Sequence, residues 1–272
     1  MCRCLKPFKQ FLVLIIGVIF LAGCGPEFDG LEKPYINNAQ EIDGVEGSLD
    51  RDEDEFFITK WKTDNSSVFS NENQITILTS GKESYKYDIE WGDGTINRDV
   101  IGSIVHTYSH SGVYQVKIAG KFPQIIFNYR DFADDLKLIS IEQWGKIRWK
   151  SMSEAFSGCS NMVGNFTDSP DLSHVKSMEG MFDSAKLFNS DISDWDVSHV
   201  KEMSAMFSGA VSFNQNVENW DVSKVERMNS MFYNAKSFSN RDLSLWDVSN
   251  VEEHSTFSTG WGEGNIEPSW RE

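Results

Sequence analysis

Four aspartates, Asp171, Asp196, Asp221 and Asp247, recur at intervals of 25, 25 and 26 residues. Carboxylates at one position of successive strands would lie about 4.8 Å apart, where like charges repel. Two arrangements offset that repulsion. In one, each Asp bonds locally to backbone or Ser groups at the turn that follows. In the other, the row forms a face for cations or a basic partner, with Ca²⁺ as the cation it could take; no resident cofactor is expected. The remaining chemistry is sparse. His174 and His199 fall in register in adjacent repeats, but no carboxylate or cysteine stands at ligand spacing beside them, so no metal centre is predicted. His106 belongs to a His-x-Tyr phrase and is expected to be packed, and Cys159 is expected to be a small core residue. Nucleophile elbows, phosphate loops and His-Glu-x-x-His are lacking in the sequence. Carboxylates are too abundant for any pair to signal a glycosidase. The expectation is a protein that is not an enzyme.

The aspartates belong to a longer phrase. Trp195-Asp196-Val197-Ser198 returns as Trp220-Asp221-Val222-Ser223 and Trp246-Asp247-Val248-Ser249, with Pro170-Asp171-Leu172-Ser173 one interval upstream. Between these phrases Met152, Met178, Met203 and Met228 keep the same period, as do Ala185, Ala210 and Ala235, and Phe188, Phe213 and Phe238. Met203, Met206, Phe207 and Ala210 stand at i, i+3, i+4 and i+7, the spacing of a buried helical stripe. Ser198, Ser223 and Ser249 precede these stripes as N-cap candidates. Each repeat therefore predicts a short inward-facing strand, a cap, a two-turn helix and a return loop. About five such units over residues 122–262 predict a short α/β solenoid of leucine-rich-repeat-like units, followed by a tail over 263–272. The phrases M-x-x-M-F-x-x-A-x-x-F-N and W-D-V-S-x-V resemble the BspA-like bacterial surface lipoproteins. That resemblance implies adhesion, or binding of a macromolecular ligand, protein or glycan, without enzymatic activity.

Ahead of the repeats, residues 55–121 read as short alternating strands: Phe56 to Trp61, Ile75 to Leu78, Tyr85 to Trp91 and Gly112 to Ile118. Trp91-Gly92-Asp93-Gly94-Thr95, then His106-Thr107-Tyr108 and Gly112-Val113-Tyr114, resemble the polycystic-kidney-disease (PKD) domain. This implies an immunoglobulin-like β-sandwich that acts as spacer or interaction module. The expected fold is thus multidomain, a PKD-like β-sandwich followed by the solenoid.

The N-terminus carries its own signal. Arg3, Lys6 and Lys9 precede an apolar run, Phe11 to Phe20, too short to span a bilayer. Leu21-Ala22-Gly23-Cys24 then resembles the bacterial lipobox, which implies removal of residues 1–23 as a signal peptide and acylation of Cys24. Residues 24–54 read as an acidic flexible tether. Loss of three basic residues with the leader takes the formal charge from −16 to −19. So acidic a chain is not expected to bind nucleic acid. A monomer held through Cys24 to the cell envelope, at the outer membrane and surface-exposed, is the resulting expectation. Glycan capture beside a polysaccharide importer, or a purely structural spacer, are the alternatives.

Overall fold

The computed structural model describes residues 40–41, 44–67, 70–127 and 134–271; Cys24 and the leader lie outside the described residues. Alternating apolar residues form strands as the sequence predicts. The order is β1 (Gln40–Glu41), β2 (Val45–Glu46), β3 (Phe57–Lys62), β4 (Gln74–Ile77), β5 (Lys86–Glu90), β6 (Thr95–Val100), β7 (Ile104–Thr107), β8 (Val113–Lys121), β9 (Leu138–Gln143) and β10 (Val163–Gly164). They build a seven-stranded mixed sheet, β10-β9-β3-β8-β5-β6-β2, and a three-stranded sheet, β1-β7-β4. β3 is central because Phe57 and Trp61 are both fully buried, and it pairs antiparallel to β8 with Phe57 opposite Ile118 and Trp61 opposite Tyr114. The turn between β5 and β6 needs its glycine. Gly92 has φ +82°, and a Cβ there would stand 2.5 Å from the Gln115 carbonyl.

The large sheet does not stop at residue 121. β9 pairs antiparallel with β3 on the edge opposite β8, and β10 adds to β9 in parallel. Ile75 and Ile104 of the small sheet, Trp61 and Ile89 of the large one, and Met178 and Phe207 of the repeats share one apolar cluster. Residues 45–55, at the end of the segment read as a tether, carry β2 and set Leu49 in a smaller cluster with Phe56, Ile58, Ile96 and Ala119. The three-stranded and seven-stranded sheets replace the expected immunoglobulin-like arrangement, since the large one is mixed and runs on into the repeats.

The expected α/β solenoid is also overturned: among the described residues there is no α-helix, only one 3-10 turn at Glu53–Glu55. Met178, Met181, Phe182 and Ala185, and Met203, Met206, Phe207 and Ala210, are fully buried as the stripe requires. They lie on consecutive tight turns. Met181 N–H donates to the Met178 carbonyl at 3.1 Å, Ala185 N–H to Phe182 at 3.1 Å and Phe188 N–H to Ala185 at 3.1 Å. Within these turns one residue is left-handed, and the pattern repeats in every unit: Glu154 and Gly158, Gly180 and Ser184, Ala205 and Gly209, Ser230 and Asn234, Thr256 and Gly260.

Left-handed residues break a helix but turn alternate amides outward. Met178, Gly180, Phe182 and Ser184 N–H donate to the carbonyls of Glu202, Ser204, Met206 and Ser208 in the next unit, at 2.7–2.9 Å. The same four-bond set joins Met152–Gly158 to the second unit, Met203–Gly209 to the fourth and Met228–Asn234 to the fifth. Hydrogen bonds between coils thus do the work that i→i+4 bonds would do in a helix of eight residues, which is marginal alone. Phe156, Phe182, Phe207 and Phe232 stack at 5.8, 5.8 and 5.5 Å between ring centroids, and each buried phenyl contributes about 1.5–3 kcal/mol. The Trp-Asp-Val-Ser phrases are not strands either. Isolated parallel bridges run instead through Ser177, Glu202, Arg227 and Glu253.

Candidate functional site

The aspartate row serves the turns. Asp171 Oδ1 accepts the N–H of Ser173 at 3.1 Å, and Asp196, Asp221 and Asp247 accept those of Ser198, Ser223 and Ser249 at 3.0 Å each. The serines expected to cap helices therefore donate to an Asp two residues earlier, because there is no helix to cap. Hydrogen bonds from the Ser side chain and backbone hold all four carboxyls below their ordinary range. Each aspartate stays exposed, with one oxygen committed to the turn. Asp191 and Asp242 close a second set of turns on Ser193 and Ser244, and Asn216 does the same for Glu218. Local bonding, the first of the two arrangements open from sequence, is thus present along the whole row.

Two of the histidines adjoin the row and a third lies in the core. His199 Nδ1 is 3.9 Å from Asp196 Oδ2 and 3.2 Å from Ser198 Oγ, and His174 contacts Ser173. His106 is buried, stacked on Trp91 at 4.5 Å, with Nε2 2.8 Å from Asp93 Oδ2. Burial pushes this imidazole below its ordinary value against the pull of Asp93. Cys159 is fully buried in the core, and burial pushes its thiol up. No group of three His, Cys, Asp or Glu side chains able to hold a metal occurs among the described residues.

A second acidic feature was not legible in the sequence. A groove of about 380 Å³ opens over the first three coils, lined by Phe127, Asp135, Glu154, Glu179, Asp183 and Ala205 among others. It exists because of the left-handed positions. Glu154, Gly180 and Ala205 occupy one of them in successive coils, and Gly158 and Ser184 the other, so small residues leave a hollow that acidic side chains surround. Burial, then the charges of Glu179 and Asp183, push the Glu154 carboxyl up to about 7, with Lys82 opposing. Burial and Glu202 raise Glu179, opposed by Arg227. Burial, with Asp134 adding, likewise raises Asp135, against backbone hydrogen bonds. A carboxyl so perturbed in a hollow marks a functional site more often than an ordinary surface carboxyl does. It can donate a hydrogen bond when protonated and attract a cation when not. The recurring Gly and Asn at the left-handed positions were the available signal.

Beside the groove the bridged seam alternates charge. Arg227 Nε donates to Glu202 Oε2, which is nearly buried, and Asn229 Nδ2 donates to Glu253 Oε2 at 2.7 Å. Lys201 Nζ meets Glu226 Oε1 at 2.5 Å. Carboxylates on this seam are thus paired, while the groove gathers Asp135, Glu154, Glu179 and Asp183 with Lys82 acting on Glu154, and Lys224 acts on Asp196 and Asp221 of the row. No helix among the described residues is long and apolar enough to cross a membrane. No curated protein and no solved structure matches the chain. Residues 150–265, which hold the repeats, are similar to the family described as Mycoplasma protein of unknown function, DUF285.

Proposed function

We propose that this is a lipid-anchored surface protein that binds a macromolecular partner through its repeats and catalyses no reaction. The observation that carries the reading is the repetition itself. Successive coils hold one backbone register and present the same exposed carboxylates, Asp171, Asp196, Asp221 and Asp247, and the first three coils also carry an acidic groove. Such a surface engages a long partner at several equivalent points, and multivalency multiplies weak contacts. The partner favoured by the charge is a basic protein surface, with a glycan as the alternative ligand. Resemblance to the BspA-like surface lipoproteins supports the same reading, and the lipobox phrase ending in Cys24 supports an anchor in the cell envelope.

Two measurements test it. Metabolic labelling with a radioactive fatty acid should mark the wild-type chain and not Cys24→Ala; equal labelling would remove the anchor. Detergent-solubilised full chain, screened against immobilised matrix proteins and polysaccharides, should retain one class, and Asp196→Asn with Asp221→Asn should weaken it. Retention unaffected by those substitutions and by Glu179→Gln would refute the acidic surface.

A further inference from the structure

The coils stack with a direction, and the last one leaves its bonding pattern unfinished. In each of the first four coils, four alternate amides donate to the next coil. The residues in register in the fifth coil are His254, Thr256, Ser258 and Gly260. Among the described residues their amides meet no acceptor, although the carbonyls of Glu253, Ser255, Phe257 and Thr259 each accept from the fourth coil. Thr256 and Gly260 are left-handed, as their counterparts are, so the donors keep the aim they have inside the stack. Of these four, Thr256 and Gly260 are exposed and His254 and Ser258 half-buried. Trp270 lies flat on the His254 ring at 4.1 Å and meets Phe257 edge-on at 4.9 Å, and the Ser258 hydroxyl donates to Glu267 Oε1, so the side chains of residues 267 and 270 shelter this coil while the four backbone donors stay unused.

We infer that this edge, the amides of His254, Thr256, Ser258 and Gly260, is a docking site for a basic peptide segment of a partner protein, which adds as the next coil. Four donors at every second residue match a backbone that offers carbonyls at every second residue, the principle by which exposed sheet edges capture peptides. The interface is continuous with one the molecule already makes four times. Glu252, Glu253 and Glu263 are exposed on and after this coil, with Arg227 of the fourth coil acting on Glu253, so the balance of charge is negative and basic side chains suit the occupant. A second copy fits poorly. Of the matching carbonyls on its first coil, that of Ser153 is already taken by Gln124 Nε2 at 3.1 Å.

Amide hydrogen exchange on the full chain tests this directly, with a twelve-residue peptide of alternating Lys and Thr, capped at both ends, as probe. The peptide should slow exchange of residues 254–260 by about tenfold or more, and Ser258→Pro, which removes a central donor, should weaken its binding. Spermine, which has the charge but no carbonyls, should leave these amides unchanged. Equal protection by spermine would overturn the proposal, as would peptide binding that protects only the groove around Glu154. Protection that grows with protein concentration and no peptide would assign the edge to a second copy instead, and also overturn it. A chain that binds a matrix protein through its aspartate row while residues 254–260 still exchange freely would retain the proposed function and lose this site alone.

Discussion

Lys137 Nζ lies 3.7 Å from Asp134 Oδ1, and both side chains are wholly shut off from solvent. The pair is satisfied on every side. Lys137 donates to Ser70 Oγ, the Asn71 carbonyl and the Gln74 carbonyl at 2.6, 2.6 and 2.8 Å. Asp134 accepts from the Thr76 amide at 2.8 Å and from Ser70 Oγ at 2.5 Å. It pins the segment before β4 to the start of β9, where the strand-rich module meets the repeats. Lys137→Met leaves Asp134 as a buried charge without its counter-ion. Such a loss costs about 3–5 kcal/mol, and denaturant unfolding at neutral pH should show it. Loss of less than about 1 kcal/mol would mean that water reaches the pair.

Glycine at the left-handed positions should be worth more than a side chain. Gly180 and Ala205 occupy the same place in successive coils, at φ +59° and +56°. A Cβ on Gly180 would meet Glu154 Cγ at 3.6 Å and Asp183 Cβ at 3.9 Å, both ordinary contacts, so its cost is conformational and not steric. Gly180→Ala should therefore destabilise by about 1–2 kcal/mol, and Ala205→Gly should stabilise by somewhat less, since glycine also loosens the unfolded chain. Thermal unfolding of the two variants should move in opposite directions. Shifts of the same sign would contradict the turn geometry.

These positions also explain why the fold was only partly legible. The 25-residue period, the inward Trp, Met and Phe residues and the short strands of residues 55–121 are all visible in the sequence, because burial follows side-chain type. Backbone geometry inside the repeat is not. Met203, Met206, Phe207 and Ala210 fit a helix of 3.6 residues per turn, but two successive four-residue turns place apolar residues at the same offsets. Over eight residues the two periods diverge too little to separate. Gly158, Gly180, Gly209, Asn234 and Gly260 could have decided it, as glycine and asparagine tolerate the left-handed region. The aspartate row was found at once, while the groove around Glu154 depends on which residues turn left-handed and stayed hidden.

The same groove makes stability depend on pH. The Glu154 carboxyl rises from an ordinary value of 4.5 to about 7 in the folded chain. A carboxyl whose folded pKa is raised holds its proton more tightly when folded. Its contribution is therefore fully present below pH 4.5 and is lost as pH rises through about 7. Glu154→Gln, which cannot ionise, should remove this component: the variant should gain stability relative to wild type at pH 8 and not at pH 4. Denaturant titrations at the two pH values check this, and a difference that is the same at both would show that Glu154 titrates normally.

The aspartate row offers the sharpest separation of folding from binding. Asp196 and Asp221 each use Oδ1 to hold a Ser amide at 3.0 Å, and an asparagine carbonyl oxygen can do the same. The molecule already shows this: Asn216 Oδ1 holds the Glu218 amide at 2.9 Å in a turn of the same form. Asp196→Asn with Asp221→Asn should therefore keep the turns, with stability changed by less than about 0.5 kcal/mol, while removing two exposed charges. Asp196→Ala removes the acceptor as well and should cost about 1 kcal/mol. If the asparagine pair unfolds as readily as the alanine variant, the negative charge is needed for the turn itself. If it folds like wild type and no longer retains a basic partner, the charge serves recognition, and the second oxygen of each aspartate, left to solvent by the turn, is the atom that meets the ligand.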